Sequence, residues 1–306
     1  MPRERTRVTS PRLRPAPSAT LVLSISALGF AAMAAFAKLA AARVPGPEVA
    51  LIRFVLGTLV CLAWHQRRPL RARNLRGLAV RALFGGSAVY CYFLSIEHLP
   101  VGIATLLQYT APAFTALWAA IFLGERTGPR VLLALALALG GVALLVVGQS
   151  PPGDPALFNR WELVGLCGAV LSGAAVATIR ALRRSDGAWE IFAAFNLGGA
   201  LLTLGPSVQR WVWPSGGEWA LLLAVATLSV GAQLGMTWAL RWIKASVAGL
   251  LMQLTPVSAL AIGALAFGER IHPLAWVGVA VTLAGVSAGA WLAGPSQPAE
   301  PVAEDV

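Results

Sequence analysis

Acidic residues are scarce in this chain, 13 Asp and Glu among 306 residues, and charged residues of both signs make up only 12% of it. A soluble domain carries about 25% charged residues, so the polar surface that a water-facing protein needs is missing. Cysteine is equally thin. Cys61, Cys91 and Cys167 are odd in number and fall inside apolar runs, which argues against a disulfide framework or a cysteine metal site and leaves packing as their expected role. His65, His98 and His272 stand at the edges of apolar runs, and there is neither a Gly-x-Ser-x-Gly elbow nor a His/Cys cluster with metal-ligand spacing. Acid/base and nucleophilic chemistry lack their partners. No catalytic residue, cofactor or metal is therefore expected, and an integral membrane enzyme is the weakest reading.

What the chain has in excess is apolar sequence, 57% of residues with a mean hydropathy of +0.71. About ten stretches approach the roughly 20 residues that cross a bilayer as a helix. They cover residues 19–41, 47–64, 77–96, 101–123, 131–148, 162–179, 188–205, 219–240, 245–267 and 273–292, separated by short charged or Pro/Gly breaks. The runs are continuous rather than alternating, which selects helices over strands. The first run exceeds the roughly 7–15-residue core of a cleaved signal peptide and is followed by many others, so it is expected to stay as a helix. Residues 1–18, rich in Arg and Pro, and 293–306 read as disordered tails.

The formal charge of +11 would point to nucleic acid in a soluble protein, but the placement of the basic residues is that of a membrane protein. With the amino terminus in the cytoplasm, the Arg-rich segments 3–14, 67–81, 126–130 and 180–184, with Arg241 and Lys244, all fall inside. Only Arg43, Arg160, Arg210 and Arg270 fall outside, and Lys38 and Arg53 lie within or near the bilayer. This is a positive-inside pattern, and it puts both termini in the cytoplasm. The basic charge orients the chain against anionic lipid; no folded basic face for nucleic acid is evident.

One segment occurs twice. Leu106-Leu107, Pro112, Gly124-Glu125-Arg126 and Pro129 return as Leu250-Leu251, Pro256, Gly268-Glu269-Arg270 and Pro273 at a constant offset of about 144 positions, and Gly141/Gly285 falls on the same offset. Residues 19–148 and 161–292 are thus two copies of one unit. Each copy has five spans, an odd number, so the second is inverted, and inverted repeats are the structural basis of alternating access.

Further residues carry a resemblance. The second span opens with Pro47 and Arg53-Phe54; the third contains Tyr90-Cys91-Tyr92-Phe93-Leu94-Ser95-Ile96-Glu97; the fourth reads Gln108-Tyr109-Thr110-Ala111-Pro112 and ends in Gly124-Glu125-Arg126. Over residues of about 19–292 the chain resembles the EamA-type branch of the drug/metabolite transporter superfamily. The resemblance implies an all-α, ten-helix inner-membrane carrier with a central cavity lined mainly by spans one, three, four, six, eight and nine. The second half departs from it at its second span, which has no Arg-Phe pair and carries Asn196 near the equivalent depth.

Polar residues are costly inside a bilayer, so each is a candidate. Gln108, Tyr109 and Thr110 precede Pro112, and Gln253 and Thr255 precede Pro256. Each proline removes a backbone donor and frees the carbonyl four residues back, at Gln108 and Met252. A substrate-facing cluster and a kink made only for packing are both consistent with this. Tyr90 and Tyr92 on the third span, and Gln233 with Trp238 on the eighth, occupy matching layers. Trp211, Trp213, Trp238 and Trp242 also suit an interfacial belt. Lys38, Arg53 and Glu97 gather in the outer part of the bilayer as a charge group able to gate the external mouth, with snorkelling the competing role for the two cations. Glu125 and Glu269 are expected to end helices and pair locally. The carboxylates nearest the membrane interior, Glu97 and Glu190, lie near span ends, which favours a gradient-driven facilitator or exchanger over a carboxylate-driven proton antiporter. Spans five and ten, poor in polar groups, look like packing or homodimer surfaces, with Gly140-Gly141 permitting close approach. Together these features imply export of a small metabolite, amino acid-like or another small polar or amphipathic solute, by a carrier embedded in lipid. A membrane scaffold is the rival, but it has no need of an inverted repeat with proline-broken polar helices.

Overall fold

The computed structural model describes residues 17–123, 129–149, 159–182, 185–239, 251–252 and 254–292. The described residues form helices joined by turns: α1 (Pro17–Ala40), α2 (Gly46–His65), α3 (Leu75–His98), α4 (Val101–Gln108), α5 (Ala111–Leu123), α6 (Pro129–Gln149), α7 (Arg160–Leu182), α8 (Ala188–Gln209), α9 (Gly216–Ala239), α10 (Leu254–Ala266) and α11 (Pro273–Leu292). Six of them, α1, α2, α3, α7, α8 and α9, are long and apolar enough to cross a membrane by length and composition. Large apolar side chains project outward along whole helix flanks, as with Leu21, Ile25 and Leu28 on α1 and Leu197, Leu201 and Leu204 on α8. Such a surface is unsuited to water and suited to lipid. The protein is a multi-pass membrane protein.

Polar residues set where several helices begin. Asn74 accepts from Gly77 N (2.9 Å) at the start of α3. Asn159 accepts from Trp161 N and Glu162 N while Glu162 reaches back to Asn159 N (2.8 Å), a reciprocal cap that starts α7. Ser215 and Glu218 form the same device before α9.

The fourth span, expected as one helix over 101–123, is two. Tyr109 and Thr110 form a turn between α4 and α5, with Tyr109 N bonded to Thr105 O, Thr110 N to Leu107 O and Ala113 N to Thr110 O. Pro112 has no N–H to continue the ladder, so the chain breaks rather than bends. The equivalent stretch before Pro256 is described only at Leu251 and Met252; Gln253 lies outside the described residues, as do Glu125, Arg126, Arg241, Lys244 and Trp242.

The packing has two-fold logic. Matching α1 to α7, α2 to α8, α3 to α9, α4/α5 to α10 and α6 to α11, each extensive contact between the halves has its counterpart: α1 on α9 and α7 on α3, α2 on α9 and α8 on α3, α1 on α10 and α7 on α4 and α5. The contacts α2 on α8, α4 on α10 and α6 on α11 are their own counterparts. On that last contact, a Cβ at Gly141 would strike Thr282 and one at Gly285 would strike the backbone of Ala138. Gly141/Gly285 and Ala138/Thr282 are repeat-equivalent pairs, so residues at the duplication offset meet across the axis. Spans five and ten therefore pack on each other inside one chain, through Gly141; Gly140 faces open space.

Local contacts fix the directions. Where α1 ends, Arg43 meets Glu218 at the start of α9 (3.1 Å); where α3 ends, Glu97 meets Gly46 N at the start of α2 and Arg210 at the end of α8 (both 2.7 Å), and His98 stacks on Trp161 at the start of α7 (3.5 Å). On the opposite face, Asp186 between α7 and α8 accepts from Arg73 N (2.7 Å) and Asn74 N (3.2 Å) before α3. Helix α1 ends on the face where α7 begins. The second half is inverted relative to the first.

Candidate functional site

Two arginines enter the helical interior. Arg53 lies seven residues into α2 from the Glu97 face and Arg81 six residues into α3 from the Asp186 face, each about 10 Å along its helix. Both are buried, at 6% and 7% exposure. The two meet at Phe195 of α8, whose ring centroid is 5.4 Å from the guanidinium carbon of Arg53 and 4.2 Å from that of Arg81. Arg53 also stands 5.1 Å from the Phe54 ring centroid and donates through Nε to the Ser229 hydroxyl on α9. Arg81 lies over Gly85, where any Cβ would collide with its Nη1, so glycine there is the space the guanidinium occupies.

The hydrogen-bonding capacity of this pair is unfilled. Arg53 Nη1 and Arg81 Nε and Nη1 are buried without a partner. The carboxylates among the described residues are engaged elsewhere: Glu48 with Val212 N, Glu97 with Arg210 and Gly46 N, Glu162 with Asn159 N, Asp186 with Arg73 N, Glu190 with Arg71 N, Glu218 with Arg43, and Glu269 with Val101 N. Stacking on a desolvated aromatic face is worth up to about 2 kcal/mol per cation, whereas an uncompensated buried charge costs several kcal/mol. Two such charges beside each other repel as well. Among the described residues no carboxylate pairs with either arginine.

A layer of hydroxyls adjoins it. Tyr92 OH lies 3.0 Å from Thr105 Oγ1. Tyr109, at the α4/α5 break, neighbours the Thr255 hydroxyl, which itself donates to Ala27 O (3.0 Å) on α1. The chain break thus hands a tyrosine from the first half to a threonine of the second. Thr110 donates to Leu107 O (2.6 Å) and serves the turn itself. Gln108 has a buried Oε1 without a partner and faces Gly168 on α7. Tyr90 is half-buried, with Cys91, Arg210 and Glu97 as its electrostatic neighbours. Gln233 is half-buried on α9, the side chains of Pro112 and Trp238 are outside the described residues, and Pro256 is buried in the first turn of α10.

The charges at the Glu97 face stand apart from the arginine pair. Lys38 donates to Ile96 O (2.9 Å) and Leu99 O (2.7 Å), holding carbonyls at the end of α3. The ion pair of Glu97 is with Arg210. Glu269 accepts from Val101 N (2.8 Å) and so caps α4 across the halves, directly after Gly268, whose φ of +64° ends α10. Lys38, Glu97 and Phe267 line a cavity of about 260 Å³ on this face. At the opposite face, burial pushes the Asp186 carboxyl up, but the Ser185 hydroxyl, the Arg73 and Asn74 amides and the charge of Arg73 outweigh it and hold it below the ordinary value. A cavity of about 740 Å³ is an apolar groove among α2, α3 and α8 lined by Leu62, Leu83, Leu197 and Leu201, on the lipid-type surface and away from the hydroxyl layer.

Two sequence expectations are corrected. Arg81 belongs to the buried site, not to a cytoplasmic loop; the signal was its position inside the predicted span 77–96. Glu97 and Glu190 are also not the most buried acids. Glu48 is fully buried and Glu162 is 6% exposed, each within the first turn of a helix, where free backbone N–H groups favour a carboxylate.

The matching of the chain to known proteins follows the same two halves. The model of the EamA-like transporter family matches residues 17–147 and again 159–288. The pseudopaline exporter CntI of Pseudomonas aeruginosa is 30% identical over 223 residues, 72% of this chain and 77% of that one. The threonine/homoserine exporter RhtA of Escherichia coli is 29% identical over 76% of this chain and 77% of that one, and human solute carrier family 35 member E4 is 27% identical over 74% and 67%. A crystal structure with 22% identity superposes with a TM-score of 0.60 over 90% of this chain and 97% of its own, which supports the fold. With a family match in each half and a shared two-fold architecture, the chain belongs to the EamA-like transporter family of the drug/metabolite transporter superfamily.

Proposed function

We propose that this protein is a secondary transporter that exports a small metabolite across the bacterial inner membrane by alternating access, with both termini in the cytoplasm. The observation that carries this reading is a polar layer made jointly by the two halves. Arg53 reaches Ser229, and Tyr109 reaches Thr255, deep between helices whose outer flanks are apolar. Polar groups at that depth are costly unless a ligand uses them. The Glu97 face is tied across the halves by Glu97 to Arg210, Arg43 to Glu218, Glu48 to Val212 N and Glu269 to Val101 N. Rocking α3, α4 and α5 against α9 and α10 opens one face as the other closes. The Arg-rich 67–76 connection lies on the Asp186 face, which supports a cytoplasmic assignment for that side. Export is supported by the printed functions of CntI and RhtA.

The test is counterflow. Purified protein in liposomes preloaded with one unlabelled solute from a set of neutral amino acids, organic acids and nucleosides is diluted into the labelled form. Saturable, trans-stimulated uptake of at least one solute is the expected result. Flux that is absent for the whole set, or that rises linearly without saturation, refutes the carrier reading.

A further inference from the structure

We infer that the transported solute is a small organic dianion, with two carboxylates or a phosphate, held between Arg53 and Arg81; the inference rests on the transport reading above. The buried site contains two guanidinium groups facing one ring, and the described carboxylates are committed at the membrane faces. A neutral or zwitterionic solute leaves the net charge of the site unchanged. A dianion cancels it, and its oxygens supply acceptors for the unfilled N–H groups on Arg53 Nη1 and on Arg81 Nε and Nη1.

The construction of the site is specific to this task. Gly85 leaves the volume that the Arg81 guanidinium fills, and both cations lie within 5.4 Å of the Phe195 ring centroid. Ser229 engages Arg53 through Nε, which leaves Nη1 directed elsewhere. Arg53 comes from the α2 end at one face and Arg81 from the α3 end at the other, so a bound dianion contacts one residue reached from each side of the membrane. Binding of the dianion removes the repulsion between the arginines.

The experiment uses the full-length protein in the same liposomes, with labelled succinate, malate and inorganic phosphate as dianions and threonine and homoserine as zwitterions. Saturable exchange of at least one dianion is expected, falling about tenfold or more in Arg53→Gln and in Arg81→Gln. Thermal melting of the wild type in detergent is expected to rise with the same dianion, which keeps the proposal testable if a glutamine variant does not fold. Exchange of the zwitterions without any dianion overturns the inference and leaves the carrier intact. Exchange of no solute at all overturns both. Dianion exchange unchanged in a folded Arg81→Gln variant overturns the role of the pair, as does a melting temperature that dianions leave unmoved.

Discussion

Glu97→Gln tests the seal at the Glu97 face. The Glu97 carboxylate accepts from Gly46 N with one oxygen and from Arg210 with the other, both at 2.7 Å. The Arg210 side chain is 48% exposed, so that half of the contact is worth at most about 1 kcal/mol after solvent screening. The Gly46 half is stronger. A hydrogen bond to a charged acceptor contributes about 1.5–3 kcal/mol, roughly twice a neutral one, so the amide loses about half. Removing the charge from the start of α2 removes about 0.3–1 kcal/mol more. Together the substitution weakens the seal by about 2 kcal/mol, or roughly 30-fold in its opening equilibrium. The Gly46 amide is the reporter, because it is the donor itself. Hydrogen exchange in detergent is expected to speed up there by about that factor, and by no more than about fivefold in Arg210→Gln. Equal effects in the two variants, or no change at Gly46, refute the assignment of the seal to the buried half of the contact.

Gly85→Ala places a methyl group where Arg81 Nη1 lies, so the guanidinium must leave Phe195; dianion exchange is expected to fall about as far as in Arg81→Gln while the melting temperature changes little. Thr255→Val removes the donor to Ala27 O and is expected to cost about 0.5–1.5 kcal/mol in thermal or denaturant unfolding; a variant as stable as the wild type refutes the role of this contact. Asp186→Asn tests the opposite face. The Asp186 carboxyl titrates below its ordinary value of 3.8 in the folded protein, so its stabilisation is complete above that value and is lost as pH falls through the lowered one. The difference in melting temperature between wild type and Asp186→Asn is expected to be present at pH 7 and to shrink below pH of about 4; a constant difference across that range refutes the linkage.

Much of the fold was legible because a bilayer imposes length and polarity on every span. The expected runs 47–64, 162–179 and 188–205 sit inside α2, α7 and α8, since apolar length is a local property. The fourth run misled because hydropathy does not register a missing N–H: 101–123 is apolar throughout, yet it breaks at Tyr109 and Thr110 before Pro112. Arg81 was misplaced for the opposite reason. Near a span end an arginine belongs equally to headgroups or to the interior, and the choice depends on whether a neighbouring helix provides a face such as Phe195 and a gap such as Gly85.

By itself, the sequence determined the class and the duplication, because apolar run length and a repeat offset of about 144 are countable along the chain. Only the tertiary structure decided what the polar residues do. It gave Lys38 to the carbonyls ending α3, Glu269 to the start of α4 in the other half, and Tyr109 to Thr255. It also brought Arg53 and Arg81 from opposite membrane faces onto one ring. A side chain's partner is set by which helices lie beside it, and that follows from shape complementarity between faces far apart in sequence, as where Gly141 admits Thr282.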